Sequence, residues 1–361
     1  MDKPSVFIIG AGPTGLTCAI ELARRGIPVR IIEKKSEPEH ISKAIGINPR
    51  SLTLLEASGV TPRLLTKGLK LNRMRMHYGD DKQIAIHLDK IPHKYNFLIA
   101  LPQDETETIL EERLNELGVK VERVAELDDL IETGQGYEAL IKSQWGSETI
   151  RNSLIIGADG AHSMTRKQIN VDFEGIAIEE PWYLADVHID WPYQQNGHDA
   201  QAFFQQDGTV GLTFPLGGTR YRLLSNREEV FGFLPKPYSI EDSLWESQFK
   251  LSCRLAQTFQ KANVFLAGDA AHIHTPVGGR GMNLGIEDAC VLADYIDAGK
   301  TDRYTTDRRP AARHVINMTT KFYNLMTTQS PMKIWARNHF MLPLLKFSAV
   351  QKQQLKMISG L

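Results

Sequence analysis

The feature that most constrains this chain lies near its N-terminus. Ser5 to Ile9 is an apolar run rich in β-branched and aromatic residues, the pattern of a strand buried on both faces. Gly10-Ala11-Gly12-Pro13-Thr14-Gly15 follows as a GxGxxG turn. A helical stretch then starts at Pro13 or Thr14, runs to Arg25 and stops at Gly26. Val29 to Ile32 is a second apolar strand, ended by Glu33. Each residue type has a physical task. Gly10 permits the tight turn, Gly12 lets the backbone approach a pyrophosphate, and Gly15 lets the helix pack on the sheet. The helix start at Pro13 and Thr14 offers N–H groups and a partial positive charge to phosphates. Glu33 can accept hydrogen bonds from a ribose, and Lys34 stands beside it. A lone glycine turn is weak evidence. With a strand before it, a helix after it and an acid ending the next strand, it reads as a dinucleotide site. The unit does not separate FAD from NAD.

Two later segments bear on that choice. Leu154-Ile155-Ile156-Gly157-Ala158-Asp159-Gly160 is an apolar strand running into Asp-Gly, which alone is a common turn. Val264-Phe265-Leu266-Ala267 delivers Gly268-Asp269 in the same way. The chain continues through Pro276-Val277-Gly278-Gly279-Arg280-Gly281-Met282-Asn283 and is helical from Leu284 to Ala298. A glycine-rich turn at a helix start places N–H groups against an anion. Reduced flavin is such an anion, delocalised over its pyrimidine edge.

These segments together resemble the group A flavoprotein monooxygenases, the para-hydroxybenzoate hydroxylase-like aromatic hydroxylases. The resemblance extends to Gly46-Ile47-Asn48-Pro49-Arg50, to Leu101-Pro102-Gln103 and to the region from Tyr304 to Arg313. It implies that the first turn binds the ADP part of FAD and that Asp159-Gly160 serves both FAD and NAD(P)H. It further implies that Gly268-Asp269 contacts the ribityl and pyrophosphate region and that Gln103 contacts FAD. Pro276, Gly279, Gly281, Met282 and Asn283 would lie beside the isoalloxazine ring. Lys43 stands where the family often has an arginine, keeping the charge without the bidentate contact. Arg280 replaces a common glutamine and receives no catalytic role.

The implied fold is α/β: a discontinuous Rossmann-like FAD domain (1–73, 98–170 and 262–330) with an inserted antiparallel substrate-binding sheet (74–97 and 171–261). Alternating runs such as Tyr183 to Ile189 and Val210 to Phe214 support strands in the insert. A helical tail, 331–361, mixes apolar and basic residues and reads as one or two amphipathic helices packed on the body, with a membrane-surface or partner contact as the alternative.

The implied reaction is hydroxylation of a phenolic or polyketide-like small molecule with O2 and transient NAD(P)H, through a flavin C4a-hydroperoxide. Epoxidation, Baeyer–Villiger insertion and flavin-dependent reduction are alternatives on the same fold. A non-catalytic flavin-binding protein is an alternative of another class. No catalytic base stands out; His87, Tyr183 and His188 are candidates because they fall on strands of the insert. His272, beside Gly268-Asp269, reads as a structural hydrogen-bonding residue.

Composition narrows the partners. A formal net charge of −1 gives no nucleic-acid footprint. Cys18, Cys253 and Cys290 form no CxxC, so neither a metal site nor a dithiol redox pair is indicated. No secretory pattern and no apolar stretch of about 20 residues is present, so a cytoplasmic monomer or homodimer is expected.

Overall fold

A sheet of six strands carries the N-terminal unit. In spatial order these are Gln260–Lys261, Val264–Leu266, Ser153–Gly157, Ser5–Ile9, Val29–Glu33 and Val121–Arg123. The computed structural model in which they are seen describes residues 3–38, 44–79, 82–151, 153–193, 199–276 and 278–361. All six strands run parallel except the edge strand Gln260–Lys261. Val6 to Ile9 are buried without alternation, as a parallel strand covered on both faces requires. Helix Pro13–Ala23 supplies part of the cover and packs on helices Gln103–Glu116 and Gly281–Ala298.

Strands from distant stretches of sequence end side by side. Ala158 N donates to Ile9 O at 2.9 Å, and Ala267 N donates to Gly157 O at 3.0 Å. The loops beginning at Gly10, Ala158 and Ala267 therefore leave one edge of the sheet together. Open parallel sheets bind ligands beyond such carboxyl ends.

A second sheet of eight strands stands over this edge. Its order is His272–Ile273, Ser239–Ala256, Phe173–Asp190, Arg220–Ser225, Val210–Gly217, Asp199–Phe204, Arg73–Tyr78 and Lys82–His87. The pairs are antiparallel apart from Asp199–Phe204 with Arg73–Tyr78, which is parallel. Those two strands are not joined by a hairpin; the chain visits the six-stranded sheet between them, as a parallel pair demands. One face of this sheet, with Met76, Trp182, Leu184, Phe204 and Phe249, forms a core with Tyr323, Met326, Leu342, Leu345, Leu355 and Ile358. The other face packs Ala185, Val187, Trp191, Phe203 and Leu223 into a separate core.

The tail forms two helical stretches, the first of them carrying a π turn. Pro331–Ala336 leads into a π turn, Arg337–Met341, then a short turn Leu342–Leu344 and the helix Ser348–Ser359. No helix among the described residues is long and apolar enough to cross a membrane.

Candidate active site

The glycine turn separates residues needed by the fold from residues that leave room. Gly10 has φ +101°, and a Cβ there would stand 2.5 Å from the Ala158 oxygen. A Cβ on Gly15 would stand 1.9 Å from the Gly10 oxygen. The protein's own packing therefore demands both glycines. Gly12 is different: a Cβ on it would meet nothing within 4 Å among the described residues, and its φ of −74° suits any residue. Helix Pro13–Ala23 opens onto this space with no side-chain cap and no acid in its first turn. Its amide groups and dipole therefore face the space unneutralised.

Two cavities meet at Gly12. The smaller, of about 350 Å3, is lined by Glu33, Lys34, Gln103 and Asp159 among others. Glu33 Oε2 accepts from Ala11 N at 2.9 Å and Oε1 from Lys35 N at 3.1 Å. The carboxylate is thus held in the wall, and each oxygen keeps a further lone pair. The larger cavity, of about 1300 Å3, shares Gly12, Gln103, Ala158, Gly160 and His162 with the smaller. Pro13, Thr14, Asp269, Pro276, Gly279, Gly281 and Met282 line one side of it. The eight-stranded sheet lines another with Met74, Met76, Trp182, Phe204, Phe214 and Phe249. Tyr323, Met326 and Ile358 come from the C-terminal region.

Thr14 keys three elements together. A Cβ on Gly268 would stand 2.5 Å from its Oγ1, and one on Gly285 2.2 Å. Gly285 escapes a motif search, although a glycine inside a helix costs about 1 kcal/mol against alanine and so signals a packing need.

Asn283 acts behind the turn rather than in the cavity wall. It is fully buried; Nδ2 donates to Gly46 O at 2.7 Å and Gly279 O at 2.6 Å, while Oδ1 accepts from Asn48 N at 2.9 Å. The side chain locks the turn onto the Gly46–Asn48 segment, leaving no amide N–H to offer a ligand. Asp159 likewise serves its own loop, accepting from Ser163 Oγ at 2.6 Å and from Thr165 N and Oγ1 at 3.0 Å each. Lys43 lies outside the described residues.

The three candidate bases do not reach the cavity. His87 ends its strand half-exposed, 3.6 Å from the Asp89 carboxylate. Tyr183 packs with the core on the far face of the sheet. His188 pairs through Nδ1 with Thr219 Oγ1 at 2.8 Å. Neighbouring Trp182 faces the cavity instead, because alternate residues of a strand point to opposite faces. Ionisable groups that do line it include His162, Arg166, Lys167, Arg254, Asp269, His274 and Tyr323.

His274 is the buried titratable group of the turn. Burial pushes its imidazole down to about 4. Its Nδ1 donates to Thr275 O at 2.7 Å, so Nε2 is an acceptor, and it has no hydrogen-bond partner among the described residues. An imidazole with a lowered folded pKa contributes stability above its unfolded value of 6.5, which is lost as pH falls from there toward 4. Urea titrations should therefore show about 2 kcal/mol lost between pH 7 and 5. His274→Gln should remove most of that loss; an unchanged pH slope in the variant would refute it.

Behind Gly268 lies an ionic cluster that no motif announced. Asp288 is fully buried and accepts from Gly268 N at 3.1 Å, His272 Nε2 at 2.5 Å and Arg308 Nε at 2.7 Å. Burial raises its carboxyl, but Arg308 and His272 outweigh burial and hold it below the usual range. His272 is thus a structural hydrogen-bonding residue, as its position beside Gly268-Asp269 suggested.

This chain matches a family model described as an FAD binding domain over residues 3–230 and 235–319. It is 32% identical over 346 residues to the uncharacterized aromatic compound monooxygenase YhjG of Bacillus subtilis, covering 88% of this chain and 68% of that protein. The chain belongs to the group A FAD-dependent monooxygenases. It is also 31% identical to 6-methylpretetramide 4-monooxygenase of Streptomyces rimosus, with 88% of this chain matched but 61% of the relative. Against the solved structure of the OxyS anhydrotetracycline hydroxylase from Streptomyces rimosus the TM-score is 0.84 at 26% identity, covering 100% of this chain and 76% of that one.

The residues present fit FAD. Open space before Gly12 and an uncapped helix start suit a pyrophosphate. Glu33 stands at the smaller cavity, and the larger begins at the same glycine.

Proposed function

We propose that this protein hydroxylates an apolar aromatic or polyketide-like small molecule, using FAD, O2 and transient NAD(P)H. One observation carries the reading: a cavity with a ribose-competent carboxylate meets, at Gly12, a much larger cavity walled by aromatic side chains. In this reading Gly10, Gly12, Pro13, Thr14, Glu33 and Lys34 surround the ADP half. Gln103 and Asp269 flank the middle, and Pro276, Gly279, Gly281 and Met282 lie beside the ring. Segments 74–97 and 171–261 form the substrate domain.

Bound FAD, once reduced, supplies activation of O2 and transfer of one oxygen atom. The chain's own residues bind, orient and exclude water. Trp182, Phe204, Phe214 and Phe249 offer flat apolar surface to a ring system, and their burial keeps the reaction dry. Trp182 Nε1 donates to the Tyr323 hydroxyl oxygen at 3.2 Å, fixing both side chains at the cavity wall. Burial raises the Tyr323 phenol, so it stays protonated at neutral pH and can donate to a substrate oxygen. His274, neutral above about pH 4, is an acceptor there rather than a general base. Arg166, Lys167 and Arg254 line the cavity and offer cations to a visiting nucleotide.

The test is NADPH oxidation and O2 uptake by flavin-loaded protein over a panel of phenols, naphthols and polycyclic quinones. Oxidation stimulated by an apolar aromatic, with a hydroxylated product, is expected; stimulated oxidation with no oxygen in the product would assign a reductase. A paired comparison separates the two aspartates. Asp269→Ala should lose FAD on dilution. Asp159→Ala should lose about 1–3 kcal/mol of stability, because it removes the acceptor for Ser163 and Thr165, and should retain FAD better. Equal FAD retention by both variants would contradict this division of roles.

A further inference from the structure

The segment after Ser330 is apolar on both of its faces. Inward it buries Ile334, Leu342 and Leu345. Outward it presents Met332, Trp335, Phe340, Leu344 and Phe347, exposed by 75%, 54%, 58%, 48% and 63%. The five-residue step from Trp335 to Phe340 crosses the π turn Arg337–Met341, which keeps the two rings on one side with centroids 5.3 Å apart. His339 stacks on Trp335 at 5.0 Å. A surface helix normally turns mostly polar side chains outward; a cluster of large exposed apolar side chains marks a contact site.

Charge indicates what covers it. From Arg308 to Leu361 the sequence holds nine lysines and arginines and no aspartate or glutamate, although the whole chain is balanced at −1. Lys333, Lys346, Lys352 and Lys356 are exposed. A second copy of this face would bring like charge against like charge. Anionic phospholipid accepts both features, apolar rings in the headgroup layer and cations against phosphates.

We propose that this face docks on an anionic lipid bilayer, with Trp335, Phe340 and Phe347 entering the headgroup layer and the lysines facing the phosphates. Ile358 of this segment also lines the large cavity, beside Tyr323 and Met326 of the preceding helix Tyr304–Met326.

The test is co-sedimentation of the full chain, with FAD added, with vesicles of phosphatidylcholine alone or mixed equally with phosphatidylglycerol. Binding to the mixed vesicles at low salt and release at high salt are expected. Each lysine near an anionic surface is worth roughly fivefold in partitioning, so Lys333→Glu with Lys346→Glu should weaken binding about 25-fold or more. Trp335→Ala with Phe340→Ala should weaken it roughly tenfold or more. Both double variants should keep the parent's circular dichroism. No binding to mixed vesicles, or equal binding to phosphatidylcholine alone, overturns the proposal. So does a dimer in sedimentation equilibrium that Trp335→Ala dissociates, which would give the face to a second copy. The readout needs no catalysis, so failure of the hydroxylase reading leaves it intact.

Discussion

Gly12→Ala should fold like the parent chain and bind FAD about 10- to 100-fold more weakly. The two halves of this result have separate causes. A Cβ on Gly12 meets nothing within 4 Å among the described residues beyond its chain neighbours, so they have nothing to repack. The same methyl group would occupy the space in front of an uncapped helix start, where the backbone must approach the pyrophosphate. Gly15→Ala makes the contrast, since its Cβ would stand 1.9 Å from the Gly10 oxygen. That variant should lose stability before ligand binding is considered. Flavin fluorescence titration and urea unfolding of the two variants read the difference. A Gly12→Ala protein that binds FAD as the parent does would place the cofactor elsewhere.

Asp288→Ala should be the most destabilising single change outside the β-sheet cores, costing about 3–5 kcal/mol. The substitution leaves Arg308 and His272 buried without their shared carboxylate and removes the acceptor for Gly268 N. Removing one partner of a buried pair costs more than the pair itself is worth, because the remaining charge stays desolvated. The site should suffer with the fold, since Gly268 precedes Asp269 at the cavity. Urea unfolding measures the loss, with Glu116→Ala as an exposed control expected to change stability far less. The Asp288 carboxyl is held below its ordinary range, so its contribution is present above about pH 4 and fades only as pH falls further. A cost under about 1 kcal/mol would show that the cluster does not hold the loop.

The nucleotide-binding half was legible in the sequence because its signals are local. An unbroken apolar strand, a turn with glycines at fixed offsets and a helix follow one another within a single unit, and the structure keeps that order. The cavity-facing residues of the eight-stranded sheet were not legible, and strand geometry explains why. Side chains alternate with period two, so a one-residue shift exchanges the faces of a strand. Phe173–Asp190 shifts register against Ser239–Ala256 between Ile178 and Trp182, and again after Asp186. Which of Trp182 and Tyr183 faces the cavity depends on those irregularities, and sequence alternation does not record them. The Asp288 cluster was hidden for another reason. His272, Asp288 and Arg308 lie 16 and 20 positions apart and meet only once helix Gly281–Ala298 has packed. Asn283 was legible as part of the turn but not in its role, since its three hydrogen bonds reach back to Gly46, Asn48 and Gly279.

The most direct test of the central claim is isotopic. FAD-loaded protein is supplied with NADPH, labelled dioxygen and the apolar aromatic compound that most stimulates oxidation, and the product is examined by mass spectrometry. One labelled oxygen atom in the hydroxylated product is the expected result. A product that carries oxygen from water, or is reduced without gaining oxygen, would contradict the assignment of this chain as a hydroxylase.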